Sequence, residues 1–234
     1  MLIVAPHTLL ESLGAVLSAL IVILSLIGMT MHGDFYAGIC RRDYWAYYTN
    51  QSNLLVFVYF ALIAPVLYAR PSLRALIAHA EYALMLCIML THLVFHHFLA
   101  PFIAEKTPYT PHTPDARIAH AASIVQHYLV PLLTFAYWLL CSPGKETLNA
   151  PDAALWLLFP LLYIAFVFLR ARLRGRVYGT LSAYPYPFLD IARFGRQRVF
   201  SLCGALCALA LALAAAGVLL AHGLFWLLHA LFSG

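Results

Sequence analysis

Charge is what this sequence has least of. Only 10% of its 234 residues are Asp, Glu, Lys or Arg, 64% are hydrophobic, and the mean hydropathy is +0.85. A soluble domain needs more charge than this to cover its surface, so the composition excludes one and implies an integral membrane protein. Alternation of apolar and polar residues every second position is also missing. That excludes a β-barrel and leaves membrane helices. Organised cysteine is absent too: Cys40, Cys87, Cys141, Cys203 and Cys207 are odd in number and scattered, with neither a disulfide framework nor zinc spacing. No Lys or Arg precedes the first apolar run, which carries Glu11 and has no small-residue cleavage site, so it reads as a retained span and not a signal peptide. No basic face outside the membrane is large enough to be a domain, which excludes nucleic acid as a partner.

What is present is a series of apolar runs of about 20 residues, each long enough to cross a hydrocarbon core of roughly 30 Å. Six are predicted, at about 9–31, 47–69, 79–100, 118–140, 153–170 and 199–221. Residues 1–234 therefore read as a single all-α transmembrane domain of six helices. Of the 14 basic residues, eleven fall in the first, third and fifth loops (Arg41, Arg42, Lys106, Arg117, Arg170, Arg172, Arg174, Arg176, Arg193, Arg196 and Arg198), against Arg70, Arg74 and Lys145 in the second and fourth. Retention of Lys and Arg on the cytoplasmic side makes the odd loops cytoplasmic. The arginines of the fifth loop also suit anionic lipid headgroups. The third loop, 100–117, holds Pro101, Pro108, Pro111 and Pro114, a density that forbids a regular helix and predicts a cap over its face of the bundle. The segment 221–234 either prolongs the sixth span or lies in the interface after Gly223.

Polar side chains collect on the odd-loop side. The second span opens on "YYTNQSNLL" (47–55), five polar residues in a row. On a helix Thr49, Ser52 and Asn53 share a face, Asn50 lines up with Asn53, and Gln51 points elsewhere. The fourth span carries His120 and His127 seven residues apart, with Pro131 removing one backbone donor just beyond. The third span leaves on the same side through His92, His96 and His97, and "YPYPFLD" (184–190) brings Tyr186 and Asp190. Three readings use these parts. A hydroxyl nucleophile, Thr49 or Ser52, with His127 as general base and Asn50, Gln51, Ser52 or Asn53 positioning the oxyanion or substrate, would transfer acyl groups without a cofactor. His92, His96 and His120 or His127 would instead ligate a metal or haem, although no H-E-x-x-H accompanies them. In the third reading the amides and hydroxyls only staple helices together, in a non-catalytic bundle for lipid binding or small-solute transport.

"WAYYTNQSNLL" (45–55), "HYLVPLL" (127–133) and "YPYPFLD" (184–190) resemble, in order and spacing, the signatures of a bacterial family of six-span membrane proteins. That family is distantly similar to the eukaryotic androgen-induced and androgen-dependent TFPI-regulating membrane proteins, threonine hydrolases that cleave fatty acid esters of hydroxy fatty acids. The resemblance implies a six-helix fold, a membrane lipid or fatty acyl ester as substrate, and Thr49 and His127 as the essential pair. Tyr186 and Asp190, with His92 and His96, are expected in support.

Overall fold

The computed structural model describes residues 6–40, 42–101, 114–149, 151, 153–178 and 180–232. Among them the regular structure is helical throughout. Six helices are long and apolar enough to cross a membrane: Leu9–His32, Tyr48–Tyr68, Pro71–Leu99, Ala116–Cys141, Ala154–Arg174 and Arg196–Gly223, hereafter spans 1 to 6. The chain is thus an all-α bundle of an integral membrane protein. The proline-rich cap expected over the third loop lies outside the described residues for 102–113.

One boundary differs from expectation, and one of two expected courses is taken at the chain's other end. Span 3 begins at Pro71 instead of about residue 79. Proline is well tolerated in a first turn, and the following Arg-Ala-Leu-Ile-Ala run forms helix readily, so the second loop shrinks to a tight connection. At the other end of the chain, helix continues unbroken from Arg196 to Phe232, carrying span 6 past Gly223.

Spans 1 to 4 form the inner bundle: span 1 packs along spans 4 and 2, and span 3 lies against spans 2 and 4. Spans 5 and 6 lean on this core from outside. A glycine sets the closest approach. A Cβ at Gly28 of span 1 would stand 2.9 Å from both Gln126 Cγ and Val125 Cγ1 of span 4, so the two backbones meet closely only because position 28 has no side chain.

Three helical turns are widened to π geometry, at Tyr59–Ile63, Phe95–Leu99 and Val125–Leu129. Each ends two residues before a proline: Pro65, Pro101 and Pro131. The cause is common to all three. A proline offers no N–H, and its ring collides with the carbonyl four residues back, so the preceding turn takes up the misfit by opening.

Loops pair by end, as the span count requires. At one end Arg170 Nη2 meets Asp43 Oδ1 at 2.6 Å, and the Tyr178 N–H donates to Asp43 Oδ2 at 2.9 Å, joining the first loop to the fifth. Arg170 also donates to the carbonyls of Gly175 and Ala183. It is therefore a buried clamp at the end of span 5 and not one of the loop's solvated cations. Burial alone would raise the Asp43 carboxyl. The Arg170 and Tyr178 hydrogen bonds, together with the Arg170 and Arg42 charges, outweigh that and hold it below its ordinary 3.8. Arg172, Arg174, Arg176, Arg193, Arg196 and Arg198 stay exposed at this end. At the opposite end Arg74 pairs loosely with Glu146 at 3.6 Å. The buried Glu81 accepts from the hydroxyls of Tyr68, Tyr59 and Tyr137 at 2.9, 3.0 and 3.4 Å. Three phenols around one carboxyl oxygen compensate its removal from water.

Candidate active site

The second span starts as a helix at Tyr48, and this start builds the site. Tyr47 is extended, and no side chain of the preceding segment caps the helix. The N–H of Thr49, one of the orphan donors of the first turn, instead donates to the Tyr186 hydroxyl at 3.4 Å. The "YPYPFLD" segment of the fifth loop thus supplies a cap from across the molecule. Burial pushes the Tyr186 phenol above its ordinary value, so it remains a protonated donor at any working pH.

Thr49 and His127 meet. Thr49 Oγ1 lies 3.2 Å from His127 Nε2 and 3.4 Å from the Tyr186 hydroxyl. Both residues are buried, Thr49 at 5% and His127 at 7% exposure. The proton arrangement follows from the other ring nitrogen. His127 Nδ1 is 2.9 Å from the Ser123 carbonyl oxygen, which can only accept, so Nδ1 carries the hydrogen and Nε2 presents a lone pair to the threonine hydroxyl. Phe95 stacks on the imidazole with ring centroids 3.7 Å apart and planes 16° from parallel, fixing its tilt. The imidazole is therefore oriented by a backbone carbonyl one turn back on its own helix, not by a carboxylate. Asp190 plays no part in this: it accepts from the N–H groups of Ala192 and Arg193 and from Ser182 Oγ, capping the short helix Ile191–Phe194.

The neighbouring polar residues turn their donors elsewhere. Asn50 Nδ2 donates to the Tyr44 carbonyl at 2.7 Å and Gln51 Nε2 to that of Trp45 at 2.8 Å, tying the approach segment to the helix. Ser52 Oγ donates to the Thr49 carbonyl at 3.1 Å and pairs with Thr91 Oγ1 at 2.8 Å. Asn53 Nδ2 reaches the carbonyls of Thr49 at 2.9 Å and Gln126 at 3.3 Å. None of these groups aims at the Thr49 hydroxyl. The oxyanion role expected of them from sequence does not match their hydrogen bonds; Ser52 and Asn53 hold the Thr49 backbone, Asn50 and Gln51 hold the approach segment, and Tyr186 is the donor beside Oγ1.

Of the third-span histidines, His92 acts on the backbone and His96 on a side chain. Pro131 leaves the His127 carbonyl without its usual i+4 donor, and His92 Nδ1 supplies one at 2.8 Å. His96 Nδ1 lies 3.2 Å from the Tyr128 hydroxyl, and His120 is exposed on span 4. Among the described residues no three His, Cys, Asp or Glu side chains stand close enough to share a metal ion. His92→Ala is expected to cost about 1–2 kcal/mol, because the His127 carbonyl is left without a donor in apolar surroundings. Adding Pro131→Ala returns an N–H to that carbonyl and recovers part of the loss. A double-mutant cycle by denaturant unfolding in micelles measures the coupling; simple additivity would mean that ring and carbonyl do not interact.

Sequence reasoning missed three contributors: the Ser123 carbonyl, the Phe95 stack and the Asp43–Arg170 clamp above the site. The first two had a readable signal, Ser123 standing four residues before His127 on one helix, and Phe95 on the histidine-bearing face of span 3. Chemically, the arrangement is a hydroxyl with a ready proton acceptor, a second hydroxyl donor beside it and a helix N-terminus beneath it. Thr49 also lines a small apolar cavity of about 70 Å³, shared with spans 3, 5 and 6. No protein-family model, curated protein or solved structure matches the chain.

Proposed function

We propose that the chain is an intramembrane lipid esterase of the kind that cleaves fatty acid esters of hydroxy fatty acids, with Thr49 as nucleophile and His127 as base. The observation that carries this reading is the Thr49 Oγ1–His127 Nε2 contact, its tautomer set by Ser123, at the wall of an apolar cavity. The ester carbonyl enters beside Thr49 with its acyl chain in the cavity. As Oγ1 attacks the carbonyl carbon, its proton passes to Nε2, and the charge developing on the carbonyl oxygen is met by the Tyr186 hydroxyl and the end of the span 2 helix. The bond to the alcohol oxygen then breaks, His127 returns the proton to the departing alkoxide, and an acyl-threonine remains. Water, deprotonated by the same imidazole, attacks this second ester; Oγ1 leaves and is reprotonated, releasing the acid. The residues of this scheme need no cofactor. The exposed fifth-loop arginines contact anionic headgroups of a bacterial inner membrane, with the odd loops cytoplasmic.

The stapling reading retains one specific support, the commitment of the Asn50, Gln51, Ser52 and Asn53 donors to backbone carbonyls and Thr91. A covalent label separates the two. A fluorophosphonate probe is expected to modify Thr49, identified by peptide mass spectrometry, with labelling lost in Thr49→Ala and kept in Ser52→Ala. Labelling that persists in Thr49→Ala, or is absent from the wild type, would return the whole cluster to a structural role.

A further inference from the structure

A second, larger cavity of about 210 Å³ lies between spans 3, 4, 5 and 6. Leu90 and Pro160 line both it and the smaller cavity at Thr49, so the two spaces meet at these side chains. Resting on the esterase reading, we infer that they form one tunnel that holds the substrate's acyl chain and sets its length, the carbonyl at Thr49 and the terminal methyl beside Met85 and Leu220.

The void exists because of how span 6 is fastened. At one end Val199 and Cys203 pack with Tyr163, Val167 and Tyr186. At the other, Ala214, Val218 and Ala221 pack with Tyr82, Trp138 and Trp156, and the Tyr82 hydroxyl donates to the Ala214 carbonyl at 2.5 Å. Between these attachments Leu206 and Cys207 face the smaller cavity and Ala210 and Leu213 the larger, and Ala210 is the smallest of the four. From the level of Thr49, which the Ser52–Thr91 contact sets near residue 94 of span 3, the tunnel runs back to Met85 along span 3 and to Leu220 along span 6, about 15–25 Å at the helical rise, room for an extended chain of about 12–16 carbons.

Its chemistry is graded along that length. The hydroxyl-bearing walls, Thr49, Tyr48, Thr91, Tyr163 and Tyr186, all belong to the Thr49 end. The larger cavity is lined by aliphatic side chains, Phe135, Cys87 and the apolar rings of Trp138 and Trp156, with no charged group. A dry apolar space excludes water and headgroups alike, and it is filled favourably only by hydrocarbon. A linear acyl chain, polar at one end alone, matches this gradient; a second headgroup does not.

Two measurements on the purified full chain test the tunnel separately from the esterase reading. Palmitic acid carrying a photoreactive diazirine at mid-chain is expected to cross-link Leu90 or Pro160, and with the diazirine at its last carbons, Met85, Leu86 or Leu220. This readout needs no turnover. In hydrolysis of a saturated ester series, rates at limiting substrate should rise by up to about fourfold per methylene and level off between C12 and C16. Ala210→Phe, which puts a ring into the larger cavity, should lower the C16-to-C8 rate ratio at least tenfold. Cross-links at the named residues with no turnover of any ester would uphold the tunnel and remove the esterase. Turnover with terminal cross-links elsewhere, or a ratio unmoved by Ala210→Phe, would overturn the tunnel and leave the esterase standing.

Discussion

Thr49→Ala is expected to reduce lipid-ester hydrolysis by a factor of about 10³ to 10⁶, equivalent to about 4–8 kcal/mol of transition-state stabilisation. His127→Ala should fall in the same range, and the double variant should be scarcely worse than either alone. Non-additivity of this kind arises because the hydroxyl and imidazole act as one unit: without the base the threonine keeps its proton, and without the threonine the base has nothing to accept. The fold should tolerate the first change. The Thr49 hydroxyl makes two side-chain contacts, to His127 and Tyr186, and both partners keep other hydrogen bonds or packing when it is gone. A stability change near 1 kcal/mol is expected. Thr49→Ser, which retains the oxygen, should keep a measurable fraction of the rate. Initial rates on a long-chain ester, measured for the wild type and the four variants in the same micelles or nanodiscs, decide the matter. A fully active Thr49→Ala protein removes the nucleophile from the scheme, and strictly additive losses would separate the two residues mechanistically.

The second large effect is on stability. Arg170→Met should destabilise the protein by about 2–4 kcal/mol, because it takes from the part-buried Asp43 carboxylate its paired counter-charge and leaves only the Tyr178 N–H and the Arg42 charge. Side-chain exposure at the pair is 6% for Arg170 and 12% for Asp43, so water can do little to compensate. Asp43→Asn in the same chain should recover a good part of that loss by removing the stranded charge, which denaturant midpoints in micelles will show. The pair also has a pH signature. Asp43 is held below its ordinary 3.8 in the folded protein, so its contribution is complete above about pH 4 and is lost as the pH falls through the lower folded value. Wild type should therefore lose more stability below pH 4 than the double variant. Equal acid profiles would mean the pair contributes nothing net. Activity should follow stability here, since the same clamp holds the fifth loop, and with it Tyr186, over Thr49.

Much of this was legible in the chain itself. Six apolar runs give six spans, and the span count alone brings the start of span 2 and the first half of span 4 to one end, which is why Thr49 and His127 can be paired from the sequence. Depth and sidedness are properties of a helix as a whole, and they survive errors of several residues at its ends. Orientation of the amides is different. Whether Asn50 and Gln51 face a substrate or a backbone carbonyl depends on the path of residues 43–47, where Asp43 takes a left-handed conformation (φ 62°) and the chain makes a tight turn before the helix. Helical periodicity says nothing about that approach. Arg170 reads as one of the loop arginines because it stands beside Arg172 and Arg174 where the fifth apolar run ends; its burial depends on Asp43, 127 positions away. Proline in the fourth span announced a kink. That three prolines would each open the turn before them follows from one steric rule applied three times.

Span 1 contributes no reacting atom, yet it sets the spacing of the machinery. The missing side chain at position 28 lets it press against Val125 and Gln126, the two residues that precede the imidazole on the same widened turn. Even one methyl group there would have to wedge the two helices apart or twist that turn, and His127 would be carried along. The first helix therefore serves as a shim: its thickness at a single point determines how far the ring stands from the hydroxyl it must reach.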